Sequence, residues 1–442
     1  MSKLAILGGP AAVNCDAGDT FVWPIVTPEH EEATLQVLRR GAMSGTDVTM
    51  EFEREYAKAT GMRHALACNN GTSAIHCALF GMGIGVGDEV ICPSLTYWAS
   101  VLQLYSLGAT PVFADVDPET LCLDPADVAR RVTPRTKAVI VVHYAGMMAD
   151  MDGIMAVAKE RKLKVFEDCS HAHFCLYKGR QAGTFGDASG FSLMSGKAFA
   201  IGEAGIMLTN DQEILERAIL FGHYERHGSL ELEATRKFAG LPCGGHKYRT
   251  HQLSSAFGLV QLRHYQRQFA EIDQAMNSFC DLLDDLPGVK PIRPAKGSGS
   301  TKGGWYFPLA HYRPEQLGGL SVGRFVEALA GEGVKNVGAG CNKPLHTHAL
   351  FNSMDIYGHG RPTRLANLPA GTVVADLQKP LPATDKVNAR SLQLPWFRRN
   401  RPELVEQYAA AFRKVVENHR DLLPGDVQTT VEGGYSNTFK KK

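Results

Sequence analysis

The chain has 442 residues, 44% of them hydrophobic and 21% charged, enough to fill a large core and unlike a disordered or collagen-like sequence. Forty-seven basic residues against 46 acidic ones leave a formal charge of +1, which argues against a nucleic-acid binder or membrane-surface protein and for a small-molecule substrate. The ten cysteines, at 15, 68, 77, 92, 122, 169, 175, 243, 280 and 341, form no Cys-x-x-Cys pair, so they read as buried apolar residues of a reducing compartment.

No run approaches the roughly 20 apolar residues of a membrane span. The opening Met1–Pro10 is too short in apolar residues and too poor in basic ones for a signal peptide, so a cytoplasmic protein is expected. At this length a large domain with a smaller companion is the natural organisation.

In chain order, Pro28–Arg40 and Met50–Thr60 read as amphipathic helices, the second ended by Gly61. Short apolar runs then recur at His64–Cys68, Glu89–Cys92, Thr110–Ala114, Lys137–Val142, Lys164–Glu167, Ser189–Leu193 and Gly205–Leu208. Helical patterns at Ser73–Met82, Trp98–Leu107, Pro125–Val132 and Met151–Arg161 separate several of them. This rhythm predicts an α/β core, a mostly parallel seven-stranded sheet flanked by helices.

Further helical patterns cover Asp211–Phe221 and Leu253–Leu286, the latter broken by Pro287-Gly288. The Gly- and Ser-rich Ala295–Gly304 reads as a link. Beyond it, Trp305–Ala310, Ser321–Gly331 and Pro402–His419 predict a smaller α+β domain closed by a helix. The expected division is an N-terminal segment 1–40, a large domain 41–290, a small C-terminal domain 291–425 and a tail 426–442, with Thr438–Lys442 frayed.

Asn69-Asn-Gly-Thr-Ser-Ala74 falls where a strand hands over to a helix, so the N–H groups and hydroxyls of Thr72 and Ser73 form an anion cradle beyond the strand end. The same residues also suit a glycine turn with a helix cap. Pro93-Ser-Leu-Thr-Tyr-Trp98 follows the next strand, and its aromatics either reach the ligand crevice at the carboxyl edge of the sheet or begin a buried helix. Asp168, in Phe166-Glu-Asp-Cys-Ser-His-Ala-His173, points to the same edge, as a ligand or as a cap. His171 and His173 lack the companions of a metal site, and no metal is required; His346 and His348 pose the same question further on.

Lys197 follows in the small-residue turn Phe191-Ser-Leu-Met-Ser-Gly-Lys197. Pyridoxal phosphate chemistry needs such an amine, desolvated enough to form an imine with the cofactor aldehyde. It also needs a carboxylate such as Asp168 to keep the pyridine nitrogen protonated, so that the ring drains electrons. The glycines of Gly81-Met-Gly-Ile-Gly-Val-Gly87 stand at the wrong phase, in a helix-to-strand loop, for a dinucleotide site.

Phe52-Glu-x-Glu-Tyr56, Asn70-Gly-Thr-Ser-Ala74, Gly87-Asp-Glu-Val90, Pro93-Ser-Leu-Thr-Tyr97, Asp115-Val-Asp117, Glu167-Asp-Cys-Ser-His-Ala-His173, Phe191-Ser192, Lys197, Gly202-Glu-Ala-Gly205 and Tyr248-Arg249 occur in this order. With them, from about Leu4 to Leu423, the chain resembles the pyridoxal-phosphate sugar aminotransferases of the DegT/DnrJ/StrS type, fold type I. The resemblance implies Lys197 as the Schiff-base lysine, Asp168 at the pyridine nitrogen, Tyr97 stacked over the ring and His171 near the ring hydroxyl. It places Gly71, Thr72, Ser73 and Ser192 at the phosphate. Gly245-His-Lys-Tyr-Arg249 stands where the family reaches the phosphate from the neighbouring subunit, with Lys247 for the more usual Asn, so a homodimer with the active site at its interface is implied.

The implied activity is a two-stage amino transfer in which Lys197 acts as general base and acid. Nitrogen passes from L-glutamate or L-glutamine to a keto-sugar, free or nucleotide-linked, or a keto-cyclitol, in secondary-metabolite or polysaccharide biosynthesis. Leu7-Gly-Gly-Pro10, Trp23-Pro24 and His143–Asp150 look more like the cyclitol and aminohydroxybenzoate branch, and His346 and His348 in the Pro344–Phe351 loop are candidate acceptor-pocket residues. Relatives that run dehydration replace the lysine with histidine, whereas this chain keeps Lys197. The alternatives are a nucleotide-linked sugar acceptor, a dehydratase or aminohydroxybenzoate-type synthase and, in another class, a non-catalytic pyridoxal-phosphate-binding regulator.

Overall fold

The seven apolar runs form one sheet: β1 (His64–Cys68), β2 (Glu89–Pro93), β3 (Thr110–Ala114), β4 (Thr136–Val142), β5 (Lys164–Asp168), β6 (Ala188–Ser192) and β7 (Gly205–Thr209). Their order in the computed structural model, which describes residues 2–427, 431, 433 and 434, is β1-β7-β6-β5-β4-β2-β3. Strands β6 to β3 pair in parallel, whereas β7 runs antiparallel to both β1 and β6. All of β2, β3 and β7 is buried, as a sheet covered on both faces requires, and for that reason these strands read as unbroken apolar runs. Observed and expected strand ends agree within one residue.

The connecting helices begin where polar side chains satisfy their first free N–H groups. Asn70 caps Gly71–Gly81, Asp124 caps Pro125–Arg131 and Asp150 caps Met151–Arg161. The expected helix Trp98–Leu107 is in fact two pieces, a 3-10 turn at Trp98–Ser100 and a short helix at Gln103–Ser106, because Val101 leaves helical geometry at φ −124°. Helix Gln252–Leu283 packs against Pro28–Arg39, Asp47–Thr60 and Pro402–Glu417.

A second, antiparallel sheet takes strands in the order Val289–Pro291, Leu309–Tyr312, Ser391–Gln393 and Gly338–Ala339. Helices Val322–Gly331 and Pro402–Glu417 accompany it, giving the α+β arrangement expected beyond the parallel sheet. The Gly- and Ser-rich segment between its strands Val289–Pro291 and Leu309–Tyr312 is exposed from Ala295 to Gly299, but Lys302 and Trp305 are buried, and one hydrophobic core continues from the first sheet into the second. The expected frayed end, Thr438–Lys442, lies outside the described residues.

No helix among the described residues is long and apolar enough to cross a membrane. All ten cysteines are free thiols; Cys243 is exposed, Cys15 is half-buried and the others are buried.

Candidate active site

Gly205, the first residue of β7, pairs with Cys68 on one side and Ser192 on the other, so the carboxyl ends of β1 and β6 are held together. The approach is close enough to demand glycine twice. A Cβ on Gly205 would lie 2.2 Å from the Asn70 carbonyl oxygen, and one on Gly71 would lie 2.6 Å from the Ser192 Cβ. The Asn70 side chain accepts hydrogen bonds from the Ser73 N–H at 2.8 Å and the Ser73 hydroxyl at 3.0 Å, which starts helix Gly71–Gly81 at this point. The positive end of that helix therefore opens beside Ser192.

A cavity of about 800 Å³ lies here, at the carboxyl edge of the sheet. Gly71, Thr72, Ser73, Tyr97, Asp168, His171, Ser192 and Lys197 all line it. Asp168 ends β5 and is 4% exposed. Its Oδ2 accepts from the Ser100 hydroxyl at 2.6 Å and its Oδ1 from the Ser170 N–H at 3.0 Å, which fixes the orientation of the carboxylate.

The Ala145 N–H donates to Nδ1 of His171 at 3.3 Å, so the proton of the neutral ring resides on Nε2. Burial, and then the neighbouring Lys197 amine and His173, push this imidazole well below its usual range, so the ring is neutral at physiological pH. His173 is likewise neutral, pushed down to about 3 by burial and by Lys197. It donates from Nε2 to the Ser192 carbonyl at 2.8 Å and so supports the end of β6.

Lys197 is 9% exposed. Its N–H donates to the Met194 carbonyl at 2.8 Å, closing the small-residue turn, and its carbonyl accepts from the Trp23 indole at 2.8 Å. Its Nζ stands over the ring of Tyr306, 4.3 Å from the centroid.

Trp98, Glu203, Tyr306, Phe307, Asn342 and Gln393 also line the cavity. Glu203 sits inside the quoted Gly202-Glu-Ala-Gly205, and Trp305-Tyr-Phe307 was legible only as part of the small domain. Asn342 and Gln393 carry no sequence signal at all.

Three expected residues lie elsewhere. His346 is engaged at both ring nitrogens, Nδ1 with the Ser94 hydroxyl at 2.7 Å and Nε2 with Asp385 at 2.9 Å, instead of lining the acceptor cavity. His348 accepts from the Leu350 N–H at 3.0 Å and caps helix Ala349–Asn352. Lys247 is exposed, its Nζ 5.8 Å from the Tyr224 ring centroid, away from the cavity of its own chain. Among the described residues, Cys68 with Cys77 and His223, and His143 with Glu167 and Cys169, bring possible metal-ligand atoms within 4.8 Å; neither group lines the cavity. The Glu167 carboxylate is already held by the N–H groups of Gly183, Phe185 and Gly186.

The donor set fits pyridoxal 5'-phosphate. A helix start with hydroxyls suits a phosphate, a buried carboxylate suits a pyridinium nitrogen, a neutral imidazole with Nε2–H suits a phenolic oxygen, and the buried amine suits an aldehyde. Fold and cavity together define a pyridoxal-phosphate transferase of fold type I. The chain belongs to the DegT/DnrJ/EryC1/StrS aminotransferase family, whose pattern matches residues 24–413; it is an aminotransferase, and pyridoxal 5'-phosphate is its cofactor.

It is similar to the L-glutamine:2-deoxy-scyllo-inosose aminotransferase of Streptoalloteichus tenebrarius, 33% identical over 346 residues that make up 75% of this chain and 79% of that protein. Among solved structures, DesI in the presence of its TDP-sugar product is 28% identical with a TM-score of 0.76, over 96% of this chain and 98% of that one. 3-Amino-5-hydroxybenzoic acid synthase is 28% identical with a TM-score of 0.74, over 91% of this chain and 100% of that one.

Proposed function

We propose that the protein transfers an amino group from L-glutamine or L-glutamate to a keto-cyclitol or keto-sugar, with Lys197 as its central residue. The observation that carries this reading is that the Lys197 amine, the buried Asp168 carboxylate and the start of helix Gly71–Gly81 all open into one cavity. Asp168 would hold the ring nitrogen of the cofactor, Tyr97 its face, and His171, through Nε2–H, its hydroxyl. Thr72, Ser73, Ser192 and the N–H groups at the helix start would hold its phosphate. When bound, the cofactor supplies an aldehyde that takes up nitrogen and a protonated ring that withdraws electrons from the carbon losing its proton.

The protein's own work is positioning, water exclusion and proton transfer. Lys197, as free amine, takes the proton from the substrate carbon onto Nζ and returns it from the ammonium form. Trp98, Tyr306 and Phe307 supply the apolar wall that keeps water from competing, and Glu203, Asn342 and Gln393 supply polar groups suited to hydroxyls of the acceptor. The name of the scyllo-inosose aminotransferase relative supports glutamine as donor and a cyclitol as acceptor.

A homodimer completes this reading. Lys247 is exposed, its Nζ 5.8 Å from the ring centroid of Tyr224, itself 45% exposed, a position from which it would serve the phosphate site of a partner copy. The expected compartment is the cytoplasm.

Incubating the protein with pyridoxal phosphate, L-glutamine or L-glutamate and a panel of keto-cyclitols, free keto-sugars and nucleotide-linked keto-sugars, followed by mass detection, tests the proposal. An aminated cyclitol or sugar is expected. Cofactor uptake with no aminated product from any acceptor would instead rule out keto-cyclitols and keto-sugars of the panel as its substrates.

A further inference from the structure

Tyr306 reaches the cavity from an unusual piece of backbone. Trp305 and Phe307, the residues on either side of it, both adopt φ of +55°, a left-handed conformation that bulky side chains avoid. Such strain persists only where the surroundings over-determine it. Here the Trp305 indole donates to Asp273 at 2.7 Å, the Trp305 N–H donates to the Lys302 carbonyl at 2.9 Å, and the Trp396 indole donates to the Gly304 carbonyl at 3.0 Å. The turn is also seated against the residue that follows the lysine, for a Cβ on Gly304 would lie 2.6 Å from the Ala198 Cβ.

The result is a ring face presented to an amine. Lys197 Nζ lies 4.3 Å from the Tyr306 centroid, and the ring is braced by Trp396, edge-on at 5.8 Å and 89°, and by His171 at 4.7 Å. Trp396 in turn packs 5.7 Å from Trp23, the residue whose indole holds the Lys197 carbonyl. Backbone and ammonium of one lysine are thus gripped by a single aromatic train. The negative face of an aromatic ring attracts a cation, most strongly where water is scarce.

We infer that Tyr306 is a positioning residue whose ring face is the station on which the Lys197 ammonium rests whenever that amine is not bonded to the cofactor. This rests on the reading of Lys197 as the cofactor lysine. A lysine released into a cavity of this size has many rotamers open to it; a fixed station keeps it within reach of its next proton transfer. The aromatic face, not the phenol hydroxyl, carries the role.

The test is acylation of Lys197 by acetic anhydride in the full chain, quantified by peptide mass at one fixed pH, with and without added pyridoxal phosphate. Removing the ring face in Tyr306→Leu is expected to raise the labelling rate about fivefold, since the amine is then no longer held against the ring. Tyr306→Phe keeps the face and is expected to label at the wild-type rate. Equal rates for the wild type and Tyr306→Leu, or a Phe variant as fast as the Leu variant, would overturn the inference. Should Tyr306→Leu not fold, Tyr306→pentafluorophenylalanine keeps the shape while reversing the charge of the face, and is expected to label as fast. Pyridoxal phosphate should protect Lys197 in the wild type: failure of protection removes the cofactor reading and this inference together, whereas protection with unchanged rates removes this inference alone.

Discussion

The Ser100 hydroxyl donates a 2.6 Å hydrogen bond to Oδ2 of Asp168, and among the described residues no other side chain donates to this carboxylate. Oδ1 is served by the backbone of Ser170, so among the described residues Ser100 is the one mutable support of this carboxylate. A hydrogen bond to a charged group contributes about 1.5–3 kcal/mol. Ser100→Ala is therefore expected to weaken pyridoxal phosphate binding about tenfold or more, read by titrating the cofactor against the visible absorbance of the protein. Unchanged affinity would show that the Ser170 N–H alone orients Asp168.

Lys197→Ala removes the group that moves the proton. Turnover is expected to fall at least about 10³-fold, since positioned acid–base catalysis contributes up to about 10⁴-fold on its own. Without an amine to bond the aldehyde, the variant should lose its cofactor on dialysis while the wild type keeps it. Retention of bound cofactor colour by the dialysed variant would mean that another amine serves instead.

Much of the fold was legible because the seven strands are mostly buried and read as short, largely apolar runs, and Asn70, Asp124 and Asp150 announce the helices that follow. Asp168 and Lys197 were legible for a related reason: their residue types carry chemistry, and strand ends fix where they point. Ser100 was not. Its hydroxyl meets Asp168 only because the segment from Trp98 breaks at Val101, a local departure that an apolar pattern over Trp98–Leu107 conceals. Tyr306, Asn342 and Gln393 reach the cavity from the second sheet and its loops, and amides and aromatics have no spacing that marks a site. His346 misled in the opposite direction. A histidine in a loop suggests a ligand, but Ser94 and Asp385, 252 and 39 residues away in sequence, occupy both its nitrogens.

Gly71 is required by contact, not by backbone freedom. Its missing Cβ would stand 2.6 Å from the Ser192 Cβ and 2.7 Å from the Ser192 Cα, and backbone cannot yield as a side-chain tip does. Overpacking of this kind costs on the order of 1–3 kcal/mol. Gly71→Ala should lower the thermal unfolding midpoint and weaken cofactor binding, because relief of the clash moves the helix start away from Ser192. Gly85, with nothing within 4 Å of a built Cβ, provides the control, and Gly85→Ala should change neither measurement. Equal behaviour of the two variants would refute the close approach of β1 and β6.

His173 sets an acid limit on stability. Buried behind the cavity, its imidazole is pushed from 6.5 down to about 3, with burial as the main cause and Lys197 adding to it. Above pH 6.5 the ring is neutral in folded and unfolded chains alike, and it contributes no pH dependence. Between about pH 6.5 and 3 the unfolded chain binds a proton that the folded one refuses, so stability falls as the pH falls, levelling off only below the folded value. At pH 5 the penalty is about 2 kcal/mol. His173→Gln retains a donor for the Ser192 carbonyl but cannot ionise. Comparing urea unfolding of the two proteins at pH 8 and pH 5, the wild type should lose about 2 kcal/mol more than the variant; a stability difference that stays constant across this range would mean that His173 takes up its proton while still folded.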